Sequence, residues 1–170
     1  VSSFENKEGT KVKEAETVEK MLITGVAKDD KVARISVVGL EDVPGVAFRL
    51  FSLLGQKNVN VDIILQSIGR NNTKDITFTV GLDKLEEAMD VLHKAYPSTE
   101  ISYNDNVSKV SIVGSGMQSN AGVAAKMFEA LYSAGINIKM ISTSEIKISV
   151  LIDKKDTDKA VEYIHDAFIR

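Results

Sequence analysis

One pattern occurs twice in this chain of 170 residues, and an internal repeat narrows the available folds more than composition does. Arg34-Ile-Ser-Val-Val38 runs into a loop and then Gly45-Val-Ala-Phe-Arg-Leu-Phe51, and Val110-Ser-Ile-Val-Gly114 runs into a loop and then Gly122-Val-Ala-Ala-Lys-Met-Phe128. Gly45, Val46, Ala47, Leu50, Phe51 and Leu54 match Gly122, Val123, Ala124, Met127, Phe128 and Leu131. Further on, Asn58-Val-Asn-Val-Asp62 matches Gly135-Ile-Asn-Ile-Lys139, and Ile76-Thr-Phe-Thr-Val80 matches Ile146-Lys-Ile-Ser-Val150. Ala88, Leu92, His93 and Tyr96 match Ala160, Ile164, His165 and Phe168. The chain therefore holds two copies of one small folding unit, and its length accommodates two domains of that size.

Each copy reads as strand, helix, strand, strand, helix. In the first, strands are expected at 34–39, 59–68, 75–82 and 99–104 and helices at 45–57 and 84–95, with a polar turn at Asp29-Asp30-Lys31. Asn71-Asn72 marks a hairpin turn, and Pro97 stops the second helix. In the second, strands are expected at 108–114, 136–144 and 146–152 and helices at 121–134 and 156–168. A βαββαβ order predicts an α+β fold with two ferredoxin-like units, each an antiparallel sheet with both helices on one face. The second copy lacks its last strand, while Met21-Leu-Ile-Thr-Gly-Val-Ala27 is strand-like and unassigned. The economical solution has that early strand complete the second unit by pairing with 108–114, since the sheet edge is otherwise open. The expected division is a tail or linker at 1–20, a first domain at 32–105, and a second at 21–28 plus 107–170.

The loop at Asp42-Val43-Pro44-Gly45 is the first place to look for chemistry. Pro44 suits the first helical position, and Gly45 leaves room for close approach to the backbone. The first N–H groups of a helix lack partners and carry partial positive charge, which suits a carboxylate. Asp42 is placed to hold an ammonium group, so a small zwitterion satisfies both; the plain alternative is that Asp42 caps the helix. The second strand of each unit alternates, with Val59, Val61, Ile63 and Leu65, and in the other copy Ile136, Ile138 and Met140, on the apolar face. The opposite face carries Asn60, Asp62 and Gln66 in one copy and Asn137, Lys139, Thr143 and Glu145 in the other. For Lys139 a solvated face suffices; the recurrence of Asn60 and Asn137 at one place asks for a binding role.

Other functions find little support. Net charge is −3, which is no basic footprint for nucleic acid, and the open sheet face offers Asn, Asp, Gln and Thr where an RNA-binding sheet wants aromatic and basic residues. No apolar run reaches membrane-spanning length, and Val1 to Glu19 has no apolar core of a signal peptide. Cysteine is absent, which excludes disulfides and thiolate metal sites and agrees with a cytoplasmic protein. His93 and His165 have no partner at ligand spacing, so no metal is expected. Gly114-Ser-Gly-Met-Gln-Ser-Asn120 is glycine-rich but lacks the Lys-Ser/Thr ending of a phosphate loop. With no activated nucleophile either, no catalytic residue and no cofactor is expected; a stand-alone enzyme on a ferredoxin-like scaffold is the alternative that fold alone leaves open.

Val38-Gly-Leu-Glu-Asp-Val-Pro-Gly-Val-Ala47 resembles the first loop of an ACT domain, and Ser142-Thr-Ser-Glu-Ile-Lys-Ile-Ser-Val150 is similar to a stretch that marks the regulatory region of aspartokinases. Asp75-Ile-Thr-Phe-Thr79 fits the same family, and Ser2-Ser-Phe4 with Gly9-Thr10 resembles the end of its kinase domain. The catalytic domain itself is absent. The resemblance covers essentially the whole chain and implies a non-catalytic regulatory module, a small subunit or a regulatory fragment, that binds threonine and/or lysine for feedback inhibition. It also implies a homodimer and a catalytic aspartokinase subunit or domain as partner; an ACT-type sensor that regulates another enzyme is the neighbouring alternative. The effector positions it implies are Asp42, Val43, Pro44, Gly45, Val46, Ala47, Asn60, Val61, Asp62 and Gln66, with Val123, Ala124, Asn137, Ile138, Ser144 and Glu145 from the second unit. Backbone groups of Gly45 to Ala47 and of Asn137–Ile138 would hold the amino acid's carboxylate and ammonium, and Gln66 would read its side chain. Gly69 falls where many members carry a small polar residue, a departure that puts threonine ahead of lysine.

Overall fold

A computed structural model describes residues 23–115 and 121–169. The tail at 1–20, the beginning of the strand expected at 21–27 and most of the glycine-rich stretch 114–120 lie outside the described residues. The elements are β1 (Ile23–Glu41), α1 (Val46–Gln56), β2 (Val61–Ile68), β3 (Thr73–Gly81), α2 (Leu85–Ala95), β4 (Glu100–Gly114), α3 (Ala121–Ser133), β5 (Met140–Thr143), β6 (Lys147–Asp153) and α4 (Thr157–Ile169). The described chain divides into residues 30–108 and residues 23–29 with 109–169.

Within residues 30–108 the strand order is β2-β3-β1-β4. β1 and β3 run antiparallel, with Ala33 opposite Val80 and Glu41 opposite Thr73. Ala33, Ile35 and Val37 of β1 and Ile76, Phe78 and Val80 of β3 meet Val46, Leu50 and Leu54 of α1 and Ala88 and Leu92 of α2 in one core. These residues recur at period two on the strands and three to four on the helices, so one face of each element is apolar and burial against the other layer removes it from water. The Phe51 ring meets Phe78 edge-on, with centroids 5.4 Å apart.

The other unit repeats the plan with order β1-β4-β6-β5. Ile23, Val110, Ile112, Ile148, Val150 and Ile152 pack with Val123, Met127 and Leu131 of α3 and Ala160 and Ile164 of α4. The early strand fills the vacant edge: Thr24 Oγ1 donates to the Val113 carbonyl at 3.1 Å. The fold is α+β, two ferredoxin-like units of which the second is completed by the N-terminal strand.

Repetition reaches the hydrogen bonds. At the end of α1, Asn58 N–H donates to Gly55 O and Val59 N–H to Leu54 O; at the end of α3, Gly135 N–H donates to Tyr132 O and Ile136 N–H to Leu131 O. This paired closure needs a left-handed residue just past the helix, supplied by Asn58 (φ 56°) in one copy and Gly135 (φ 71°) in the other.

Four expectations are corrected. Asp29-Asp30-Lys31 is no turn: β1 continues through it, and its charged side chains are exposed to water, so polar composition is no bar to an extended backbone there. The strands expected at 99–104 and 108–114 are one strand, β4. The strand expected at 136–144 pairs only over Met140–Thr143. In β2 the simple alternation fails past Asp62. Val61 lies opposite Val80 but Ile64 lies opposite Phe78, so three residues of β2 span two of β3. That bulge exposes Leu65, which was expected on the buried face, and puts Gln66 opposite Ile76 on the core side of the sheet, away from the face of Asp62.

Among the described residues no helix is long and apolar enough to cross a membrane.

Candidate functional site

The loop after β1 is shaped by three backbone features. A bulge between Val37 and Leu40 bends the strand end, and Gly39 sits there at φ 79°, a conformation that side chains rarely adopt. Its N–H donates to Asp75 Oδ1 at 2.9 Å. Asp42 N–H donates to Asn72 O at 3.0 Å, which ties the loop to the β2–β3 hairpin. Gly45, at φ 91°, precedes α1 as its cap residue and accepts the first helical bond from Arg49 N–H.

Two expectations about this loop are corrected. Pro44 is not the first helical residue, because α1 begins at Val46, after the left-handed Gly45. Asp42 does not cap the helix: no side chain does, and no acidic residue lies in the first turn. The carboxylate of Asp42 points to Lys74, with Oδ1 3.7 Å from Nζ. The opening N–H groups of α1, Val46 to Phe48, have no helical acceptors and carry the positive end of the helix dipole.

Val43, Pro44 and Gly45 are exposed, Ala47 is half-buried, and Val46 is buried in the core, so Val46 presents only its backbone. Asn60 is exposed and Val61 half-buried at the start of β2. They lie at the other end of the sheet, level with Ala33, whereas the loop follows Glu41, level with Thr73. From Val80 to Thr73 is seven residue steps, about 23 Å at ~3.3 Å each. Within one unit Asn60 and Asp62 therefore lie far from the loop that precedes α1. Gln66 is exposed and lies toward the loop's end of the sheet, but on β2, with β3 between it and β1.

The second unit shows the same separation. Val123 is buried in its core and offers only backbone, and Ala124 is half-buried. Asn137 is exposed and Ile138 half-buried just before β5, where Lys139 N–H donates to Leu151 O at 2.7 Å and Lys139 Nζ lies 3.4 Å from Asp153 Oδ1. Ser144 and Glu145 are exposed at the far end, in the β5–β6 turn, which Ser144 N–H closes by donating to Lys147 O. Gly114 N–H donates to Ile146 O, so that turn stands beside the end of β4.

Sequence reasoning missed Lys74. The signal was there: the period-two run Lys74, Ile76, Phe78, Val80 puts a lysine in register with the apolar face. Among the described residues no group of three or more His, Asp or Glu is placed to hold a metal ion.

Comparison with known proteins fits this geometry into a family. The model of the ACT domain matches residues 35–96 and 110–168. The aspartokinase of Geobacillus stearothermophilus is 45% identical over 168 residues, which is 98% of this chain and 41% of that protein; the chain thus spans about two fifths of the length of the curated relatives it matches. Among solved structures, the regulatory subunit of aspartate kinase from Thermus thermophilus, in its ligand-free form, superposes with a TM-score of 0.82 at 38% identity, over 86% of this chain and 99% of that one. A structure of aspartokinase alpha and beta subunits superposes with a TM-score of 0.79 at 44% identity, over 87% of this chain and 99% of that one. With two matched ACT domains and near-complete coverage of a regulatory subunit, the chain belongs to the ACT-domain family, as the regulatory part of an aspartokinase.

Proposed function

We propose that this chain is an allosteric amino-acid sensor that binds threonine, and secondarily lysine, and conveys feedback inhibition to a catalytic aspartokinase subunit or domain in the cytoplasm. In this reading residues 1–20 link to the kinase, 32–105 form the first ACT domain and 21–28 with 107–170 the second. The catalytic partner phosphorylates aspartate; this chain does not.

The observation that carries the reading is the separation of the two halves of the site. The loop with its helix N-terminus and the start of the second strand sit at opposite ends of each sheet, so one unit cannot close both halves around a small zwitterion. In this reading the loop at 42–47 of one chain meets Asn137–Ile138 of a second chain, with helix N–H groups toward the carboxylate and backbone carbonyls toward the ammonium. A dimer is also supported by β2, an edge strand that leaves Ile64, Leu65 and Ile68 exposed, the last by 92%. An open apolar edge is a template for pairing, and a two-fold axis repeats the same junction on both sides. Ligand held there favours the dimer by mass action, and its differential affinity shifts the attached catalytic part between states.

Calorimetry with threonine and lysine, alongside sedimentation, tests the proposal. Threonine binding coupled to dimerisation is the expected result. Binding by a strict monomer would remove the two-chain junction, and turnover of aspartate and ATP by the pure chain would remove the non-catalytic assignment.

A further inference from the structure

Lys74 is a cation in a place where cations are rarely put. It stands on the apolar face of β3, in register with Ile76, Phe78 and Val80, and its side chain is only 11% exposed. Burial of a charge is costly unless an opposite charge compensates it. Two carboxylates are near in the fold. That of Asp75 accepts the Gly39 N–H, while that of Asp42 faces the Lys74 ammonium at 3.7 Å. Asp42 is the one charged side chain in the loop 42–47, and it is itself half-exposed. A charge in this partly desolvated corner is poorly screened by salt, so attraction and repulsion both reach further than in water.

We propose that Lys74 sets the ligand preference of the effector site by occupying the charge of Asp42, which makes the site favour amino acids whose side chains are uncharged over cationic ones. The inference rests on the effector reading above and adds a specificity-determining residue to it. An amino acid's own carboxylate and ammonium cancel, so a threonine side chain meets a loop already in charge balance. A cationic side chain at the same place finds Asp42 paired and the Lys74 ammonium facing it, and like charge is an element of discrimination as much as attraction is. Lys74 acts through Asp42 and the field at the site, and needs no contact with the ligand.

The test is calorimetric titration of the wild-type chain, Lys74→Met, Lys74→Arg and the double variant Lys74→Met/Asp42→Asn with threonine and with lysine. Wild type and Lys74→Arg are expected to favour threonine over lysine by about tenfold or more, and Lys74→Met to gain about tenfold in lysine affinity while its threonine affinity changes by less than about threefold. The double variant, with no carboxylate left to receive the ligand's cation, is expected to lose that gain. Lys74→Gln replaces Lys74→Met if the latter fails to fold by circular dichroism. Equal lysine affinity in wild type and in the uncharged variant, with threonine binding intact, overturns the role of Lys74 and leaves the effector reading standing. Failure of the wild type to bind either amino acid overturns both.

Discussion

Leu50, Leu54, Ala88 and Leu92 of the first ACT domain correspond to Met127, Leu131, Ala160 and Ile164 of the second, and all are fully buried. Ile76 and Ile146 correspond just as well in sequence, yet Ile76 is fully buried and Ile146 is 58% exposed. The first lies within β3 and the second in the turn ahead of β6. The same contrast holds for the neighbouring edge strands: β2 has eight residues and a bulge, β5 has four in plain register. Helix-to-sheet packing tolerates little change because every core position touches several others. A sheet edge touches few atoms of its own unit, so it is free to diverge toward whatever it binds. The two domains keep the same core pattern and differ at their edges.

The largest effects should come from the shared core. Leu54→Ala and Leu131→Ala should each cost about 2–5 kcal/mol, the range for deleting a buried leucine. Denaturant unfolding of both variants measures it; a loss confined to one of them would break the equivalence of the two cores.

Next comes Gly69→Ala, which touches only the β2–β3 hairpin. A methyl there would meet Thr73 Oγ1 at 2.5 Å and the Thr73 carbonyl oxygen at 3.0 Å, and the Gly69 N–H already donates to that oxygen. Overpacking of this kind costs about 1–3 kcal/mol. A midpoint unchanged from wild type would mean that the hairpin tip yields, and the contrast with the second domain's turn would weaken.

Gln66→Ala should weaken threonine binding by about 1–3 kcal/mol if a partner group is left buried and unpaired at the junction. Its exposure in the single chain predicts a stability change within about 0.5 kcal/mol. Equal threonine affinities in calorimetry would dismiss the contact.

The smallest effects concern the left-handed helix ends. Gly135→Ala should destabilise by about 1–2 kcal/mol, the cost of that conformation for a residue with a Cβ. Asn58→Gly should change stability by only a few tenths, because asparagine tolerates it. Thermal unfolding of the pair ranks them, and the reverse ranking would show that the two closures are held differently.

The repeat, the element order and both cores were legible because they are written in local periodicity: Val46, Leu50 and Leu54 declare a helix face without reference to anything distant. Gln66 was misplaced because a bulge adds one residue to β2 against β3, and nothing near Asp62 or Ile63 announces it. Asp29-Asp30-Lys31 resembles a turn in composition and is a strand because of neighbours remote in sequence. Of the candidate site, the loop and both asparagines were legible as residue types. Their separation by the length of a sheet was not, since it follows from the pairing of Val61 and Ala33 with the same Val80. Lys74 was readable and passed over.

The hydrogen bond from Thr24 to Val113 spans 89 residues of chain. A contact so remote in sequence would ordinarily be slow to form, since a long loop must close before anything is gained. Here residues 30–108 form an uninterrupted unit of their own, with its entry on β1 and its exit on adjacent β4. Once that unit has folded, it delivers its two ends side by side, and the long loop becomes a short one. During synthesis the first ACT domain can therefore mature while residues 23–29 wait, and the second condenses only after the last helix has been made. The first domain serves as a clamp that turns a distant pairing into a local one, so damage to its core should delay the second domain's assembly even where the second domain is untouched.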